Sequence, residues 1–131
     1  MKNKLALMCS VALFFSCGAG VSDYTEELPG GYQFISESRD EQFIQGNYRF
    51  IPCTVLDYCY NQDYILVSQK PKKNCLILPD SPIKNVDTVQ FWIIDIVNDS
   101  LRGPYKKDDY MDLRRDLNIP AHLKLKIERD W

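Results

Sequence analysis

Apolar residues along this chain fall into one continuous block and then a long stretch of alternation. The block runs from residue 5 to residue 15, behind Lys2 and Lys4, and closes in Ser16-Cys17-Gly18. It is too short for a membrane span, which takes roughly 18 or more apolar residues. A short positive segment, an apolar core of this length and small residues after it together predict a secretion signal. From Gly18 to Pro29 neither a period of 2 nor one of 3.6 is present. That stretch reads as a tether, with Tyr24 and Leu28 packed on the domain as the alternative.

Alternation begins after Gly30-Gly31, where Tyr32, Phe34 and Ser36 interleave with Gln33, Ile35 and Glu37 as a first strand. Phe43-Ile44 and residues 48–51 flank Gly46-Asn47, a pair suited to a tight hairpin, and Pro52 belongs at an edge or bulge. Residues 54–60 predict a further strand that turns at Asn61-Gln62 and returns over residues 64–69. Pairing Tyr60 with Asp63 sets Leu56 opposite Val67 and Tyr58 opposite Ile65 on the core side. Pro71, Pro79 and Pro82 mark residues 70–87 as a long loop. Residues 89–97 are almost continuously apolar, which predicts a central strand covered on both faces, with Asp95 in need of a partner.

Past the Asn98-Asp99-Ser100 turn and Gly103-Pro104 the period changes. Tyr110, Leu113, Arg114 and Leu117 fall at i, i+3, i+4 and i+7 and predict a helix of about ten residues from near Asp108. Asp108, Asp109 and Asp112 stand toward its positive end and Arg114-Arg115 toward its negative end; Asn118 caps it and Pro120 stops it. Leu123, Leu125 and Ile127 alternate with Lys124, Lys126 and Glu128 as a last strand with one wet face. The expected fold is α+β: an antiparallel meander sheet with one amphipathic helix in the C-terminal half. The expected division is a signal over residues 1–16, a tether over residues 17–29 and one domain over residues 30–131.

Ser16-Cys17 at the end of the apolar block resembles the lipobox of bacterial lipoproteins, in which a small residue precedes the acylated cysteine. Phe14 and Phe15 depart from that pattern, which has an aliphatic and a small residue there. The resemblance implies cleavage before Cys17, lipid on Cys17 and a place in the bacterial cell envelope, with the domain facing the periplasm or the cell exterior and touching the membrane through its anchor. A cut near Ala19-Gly20 by an ordinary signal peptidase and an uncleaved anchor over residues 5–21 are the alternatives. Cleavage before Cys17 removes two of the 16 basic residues and none of the 18 acidic ones, leaving a net charge of −4. A mildly acidic chain with scattered cations, paired only at Lys72-Lys73, Lys106-Lys107 and Arg114-Arg115, argues against nucleic acid as a partner.

The body also resembles a family of small, functionally uncharacterised bacterial lipoproteins. The elements that carry the resemblance are Leu28-Pro29-Gly30-Gly31-Tyr32, Ser36-Glu37-Ser38, Ile51-Pro52, Asp57-Tyr58, residues 64–70, Trp92-Ile93-Ile94-Asp95 and Gly103-Pro104 before a helix. They span about residues 28–127 and gain weight from their order. The resemblance implies localisation and a single domain, and names no substrate.

With Cys17 assigned to lipid, Cys53, Cys59 and Cys75 remain in the domain. An oxidising compartment permits a disulfide. On one continuous strand Cys53 and Cys59 would lie about 20 Å apart, beyond the roughly 7 Å over which Cα atoms are bridged. Any bridge should therefore involve Cys75; the competing reading makes all three small buried hydrophobes. His122 is the single histidine, so a paired-ligand zinc site is not expected, and no cofactor motif is present.

No G-x-S-x-G elbow, H-E-x-x-H or phosphate-cradling glycine loop occurs in the chain, and the expectation is that it is not an enzyme. The densest polar cluster is the run of residues 36–41, where Glu37, Arg39 and Asp40 offer an edge for recognition, Arg39 as a fork for a carboxylate. The expected function is non-catalytic binding of another envelope protein. A small envelope enzyme using Asp57, Asp63 and Asp95, or a purely structural lipoprotein, are the alternatives. A deep cleft with two convergent carboxylates or His122 would favour the enzyme, and a flat aromatic or apolar patch of more than about a few hundred Å² would favour binding.

Overall fold

The structure is a computed structural model and describes residues 24–72, 75 and 88–131. Eight strands form two four-stranded antiparallel sheets, followed by one helix, so the expected α+β class with a meander holds. The first sheet contains β1 (Tyr24–Leu28), β2 (Tyr32–Ser36), β3 (Gln42–Gly46) and β4 (Arg49–Ile51) in chain order. The second contains β5 (Val55–Tyr60), β6 (Tyr64–Gln69), β7 (Gln90–Asp95) and β8 (Ser100–Tyr105), followed by α1 (Lys107–Asp116).

Alternation sets the inner face of the first sheet. Leu28, Tyr32, Phe34, Ile44 and Ile51 are buried against Val55, Ile65, Val67, Trp92 and Ile94 of the second sheet. Apolar surface taken from water at about 25 cal/mol per Å² holds the two sheets together. Two buried polar groups cross this core in series: the Trp92 indole N–H donates to Gln69 Oε1 at 2.5 Å, and Gln69 Nε2 donates to the Pro52 carbonyl at 2.5 Å. Both amide ends of Gln69 are thereby satisfied, which removes most of the cost of burying it.

The central strand follows the sequence closely, since all six residues of β7 are buried. Trp92 and Ile94 face the first sheet, while Phe91 and Ile93 join Leu66, Tyr110, Ile119, Leu123 and Leu125 in a second core. Asp95 finds its partner in Asn98, whose backbone N–H and side-chain Nδ2 both donate to it, at 3.1 and 2.8 Å. The helix also forms where expected, with Asp108 and Asp109 in its first turn and Arg114 and Arg115 in its last. Asn118 adopts φ 54°, and the N–H groups of Asn118 and Ile119 donate to the carbonyls of Arg115 and Arg114 at 3.1 and 3.0 Å. That pair of bonds is the Schellman termination, with asparagine in place of the usual glycine.

Five sequence expectations need correction. Tyr24–Leu28, placed in the tether, is an edge strand in regular register with β2, from Tyr24 opposite Ser36 to Leu28 opposite Tyr32. Its inward Glu26 breaks the apolar alternation; Tyr58 and Tyr60 hydroxyls donate to that carboxylate, the latter at 3.3 Å. The β5–β6 hairpin is shifted by two: Tyr58 stands opposite Val67 and Tyr60 opposite Ile65, because Asn61 Oδ1 accepts the N–H groups of Asp63 and Tyr64, both at 2.8 Å, and so fixes the turn one residue later. A register break between Val55 and Asp57 then turns Leu56 out to solvent. Gly103-Pro104 lies inside β8, an edge strand where the missing N–H of proline is tolerated. A Cβ on Gly103 would stand 2.8 Å from the Phe91 carbonyl oxygen and 2.9 Å from the Trp92 ring, so the glycine lets this edge close onto β7.

The last strand, expected over residues 123–127, is not formed. Leu123 and Leu125 bury and Lys124 and Lys126 stay exposed, as alternation requires. The segment instead lies on the outer face of the second sheet and ends in a 3-10 turn, Lys126–Asp130. Alternation identifies a wet and a dry face, but it does not supply a neighbouring strand. Finally, Cys53 sits in the corner between β4 and β5 and is bridged to Cys75, with Cα atoms 5.7 Å apart. The expectation that any bridge involves Cys75 holds, and among the described residues Cys59 is left as a half-buried thiol. The signal, Cys17 and most of the proline-rich loop lie outside the described residues.

Candidate functional site

The outer face of the first sheet has no described helix or strand on it. Period 2 places Thr25 and Glu27, Gln33 and Ile35, Phe43 and Gln45, and Phe50 there, opposite the buried set. Phe50 is 40% exposed and packs against Phe43 with ring centroids 5.3 Å apart and the ring planes tilted by 50°. Beside these rings a cavity of about 330 Å³ is lined by Glu37, Glu41, Phe43, Gln45 and Phe50, and closed on one side by the Cys53–Cys75 bridge. The bridge therefore anchors the rim of an aromatic recess with two carboxylates at its mouth.

Of the three residues expected at a binding edge, Glu37 belongs to this recess. It follows β2, and its N–H donates to the Glu41 carbonyl at 3.0 Å, closing the β2–β3 loop. Arg39 and Asp40 are exposed at the loop tip and do not line the cavity. Asp40 is committed elsewhere: the Lys72 ammonium is hydrogen-bonded to its carboxylate at 2.5 Å and holds its pKa below the usual carboxylate range. The Thr54 hydroxyl donates to the Asp40 carbonyl, tying the loop to the corner that carries Cys53. Cys17 lies outside the described residues.

The acidic strand residues are engaged separately. Asp57 accepts the Lys126 N–H at 2.7 Å, Asp95 accepts from Asn98, and Asp63 is exposed in the β5–β6 turn. Asp57 pairs with Ser68, four residues along β6 from Tyr64, which pairs with Asp95, so those two carboxylates are separated by roughly 13 Å of strand. His122 is exposed in a turn after Pro120. Among the described residues no group of three or more His, Cys, Asp or Glu side chains is arranged to hold a metal ion.

A polar cluster that sequence reasoning missed lies under the helix. Arg114 and Glu128 form a buried ion pair, their side chains 8% and 4% exposed, at 3.1 Å. Glu128 Oε2 also accepts the Tyr110 hydroxyl at 3.1 Å and the Leu125 N–H at 2.7 Å, and Arg114 donates to the Pro120 carbonyl at 3.1 Å. Burial raises the pKa of Tyr110, opposed by Arg114. The signal was present in the helical pattern, where Arg114 occupies an apolar position of the i, i+4 repeat with Tyr110. This network joins α1 to the segment that follows it.

The far end of the molecule is tied by polar contacts between turns. Arg49 pairs with Asp99 at 2.5 Å, and Asn47 Nδ2 donates to the Gly30 carbonyl at 2.8 Å. Gly46 allows the close approach, since a Cβ there would stand 2.5 Å from the Gly31 carbonyl oxygen. The β3–β4 turn is thus tied to the β1–β2 turn through Asn47 and to the turn before β8 through Arg49.

Two packed antiparallel sheets, the second covered on its outer face by the one described helix, define a small α+β domain. The chain belongs to the family described as "Protein of unknown function (DUF3997)", whose model matches residues 29–130. No curated protein and no solved structure matches it. Among the described residues no helix is long and apolar enough to cross a membrane.

Proposed function

We propose that this protein is a lipid-anchored domain of the bacterial cell envelope that binds another protein through the outer face of its first sheet. The observation that carries the reading is the Phe43–Phe50 pair, with no described helix or strand over it, beside a recess braced by a disulfide. Exposed aromatic side chains on a rigid support supply large contact area at low entropic cost, which is the property of interface anchors. The Cys53–Cys75 bridge supports an exported destination, because disulfides persist in oxidising compartments and are rare in the cytosol. The apolar block ending in Ser16-Cys17 supports the anchor, with lipid on Cys17.

A photo-crosslinking amino acid at position 50, in cells making the full-length protein, tests the binding face. One discrete adduct is expected, lost when Phe43→Ser is added and retained with the crosslinker moved to 43 in an otherwise unchanged chain. Adducts indifferent to Phe43→Ser, or equally abundant from position 111 on the helix, would overturn the assignment of the face. Membrane fractionation of Cys17→Ala tests the anchor: release to the soluble fraction is expected, since stable anchoring requires the lipid chains.

A further inference from the structure

The two sheets present four edges, and three of them are blocked. β4 has three residues and runs directly into Pro52, which has no N–H to offer. β5 is interrupted by the register break between Val55 and Asp57. β8 carries Pro104, and its ladder with β7 shifts between Phe91 and Ile93. Proline, bulges and short length are the devices by which sheet edges are closed to further pairing.

β1 has no proline, bulge or register break, and its one inward charge, Glu26, is already answered by the Tyr58 and Tyr60 hydroxyls, so a further strand would not leave it unpaired. Its five residues stand in unbroken register with β2, and no other described strand pairs with its outer side. Alternate N–H and C=O groups of such an edge point away from the sheet. Its side chains also choose among possible occupants. β1 carries Glu26 and Glu27 and no cation. Antiparallel pairing with a second copy centred on Glu26 or Glu27 sets a glutamate against its own equivalent, and centring between them sets Glu26 against Glu27. Like charges directly opposite each other destabilise a strand pair, and opposite charges stabilise it.

We infer that the edge of β1 accepts an extended segment of a partner protein, rich in lysine or arginine at alternate positions, as a fifth strand of the first sheet. This rests on the protein-binding reading but uses a different surface from the Phe43–Phe50 recess. Main-chain hydrogen bonds supply the affinity in this mode of recognition, and the side chains facing Glu27 on the outer face supply the selectivity, since the Glu26 carboxylate on the inner face is taken up by Tyr58 and Tyr60.

The test uses the full-length protein in detergent and a labelled peptide of alternating lysine and valine, seven residues long, with a glutamate–valine counterpart. The lysine peptide is expected to bind and to slow amide exchange in β1, with Glu27→Lys weakening binding about tenfold or more, a loss of about 1.4 kcal/mol. Methylating one alternate set of peptide nitrogens should abolish binding, while methylating the other set should not, because only one set faces the sheet. Phe50→Ser should leave the affinity unchanged. Absence of binding, equal binding of the glutamate peptide, or indifference to both methylation patterns would overturn the inference. Sedimentation showing a dimer with β1 protected in the absence of peptide would overturn it in favour of a second copy. Loss of peptide binding in Phe50→Ser would move the site to the aromatic face, leaving the protein-binding reading intact and this one refuted.

Discussion

The two sheets are alike in strand number and in their simple meander order, yet their outer faces have opposite fates. The outer face of the second sheet is roofed by α1 and residues 119–127, with Leu66, Phe91 and Ile93 beneath and a buried ion pair between the roof elements. The outer face of the first sheet leaves Phe50 exposed and offers a recess instead. An uncovered sheet face normally alternates to polar residues; Gln33, Gln45 and Glu27 do so, whereas Ile35, Phe43 and Phe50 do not. The departure lies where the molecule has spent a disulfide on bracing the rim. The outer face of the second sheet is buried under its roof, and Phe50 stands exposed on the other side of the sandwich.

The largest effects should come from buried positions, between the sheets and beneath the roof. Trp92→Ala removes an aromatic from between the sheets and leaves Gln69 Oε1 without its donor; a loss of about 3–5 kcal/mol is expected in denaturant unfolding. Arg114→Ala leaves Glu128 buried without its counter-charge and should cost about 3–5 kcal/mol as well. If Arg114→Ala proved neutral, the roof would be loosely held and the contrast between the two faces would collapse.

The disulfide comes next. Its cysteines are 22 residues apart in sequence, and closure of a loop of that size is worth about 3 kcal/mol in the unfolded chain. Cys53→Ser with Cys75→Ser should lower stability by about that amount while leaving far-ultraviolet dichroism of the folded state unchanged. A folded double variant that still gave the position-50 adduct would show that the bridge contributes stability and does not shape the recess.

Cys59 gives a pH-dependent test of the roof. Burial first, then the nearby charges of Glu128 and Asp57, push its thiol pKa up to about 12 from an ordinary 9.0. A thiol whose pKa is raised on folding contributes stability that is complete below pH 9 and is lost as pH climbs toward 12. Native protein at pH 8 should therefore react slowly with iodoacetamide at Cys59, and denatured protein fast. Rapid native labelling would mean that the roof opens readily. The smallest effect belongs to the uncovered face: Phe50→Ser should change stability by no more than about 0.5 kcal/mol, as for other surface positions. A larger loss would make Phe50 a structural residue.

Most of the architecture was legible because it rests on periodicity. Tyr32 and Phe34, the continuous apolar run of β7 and the i, i+3, i+4 spacing of α1 each state which face is dry, and tertiary packing agreed with them. What escaped was set by partners distant in sequence. β1 was hidden because its inward Glu26 looks like solvent chemistry until Tyr58 and Tyr60, more than thirty residues later, turn their hydroxyls to it. The C-terminal segment was misread because its alternation is real but its companion is a sheet face. For the site, Glu37 was found from local polarity, whereas Phe43 and Phe50 were read as ordinary strand residues. Nothing in a strand's own sequence says which of its two faces will be roofed.

Glu128 follows every strand and the helix in the order of synthesis, and this gives the molecule a direction in time. Until residue 128 has emerged, Arg114 has no anion, the Leu125 N–H has no acceptor, and α1 has little reason to settle its charged side against the second sheet. A chain that crosses a membrane N-terminus first would therefore carry its two sheets across before the roof can latch. Glu128 is the last member of that network to be made, so the order of residues along the chain sets the order in which the contacts of the roof become available.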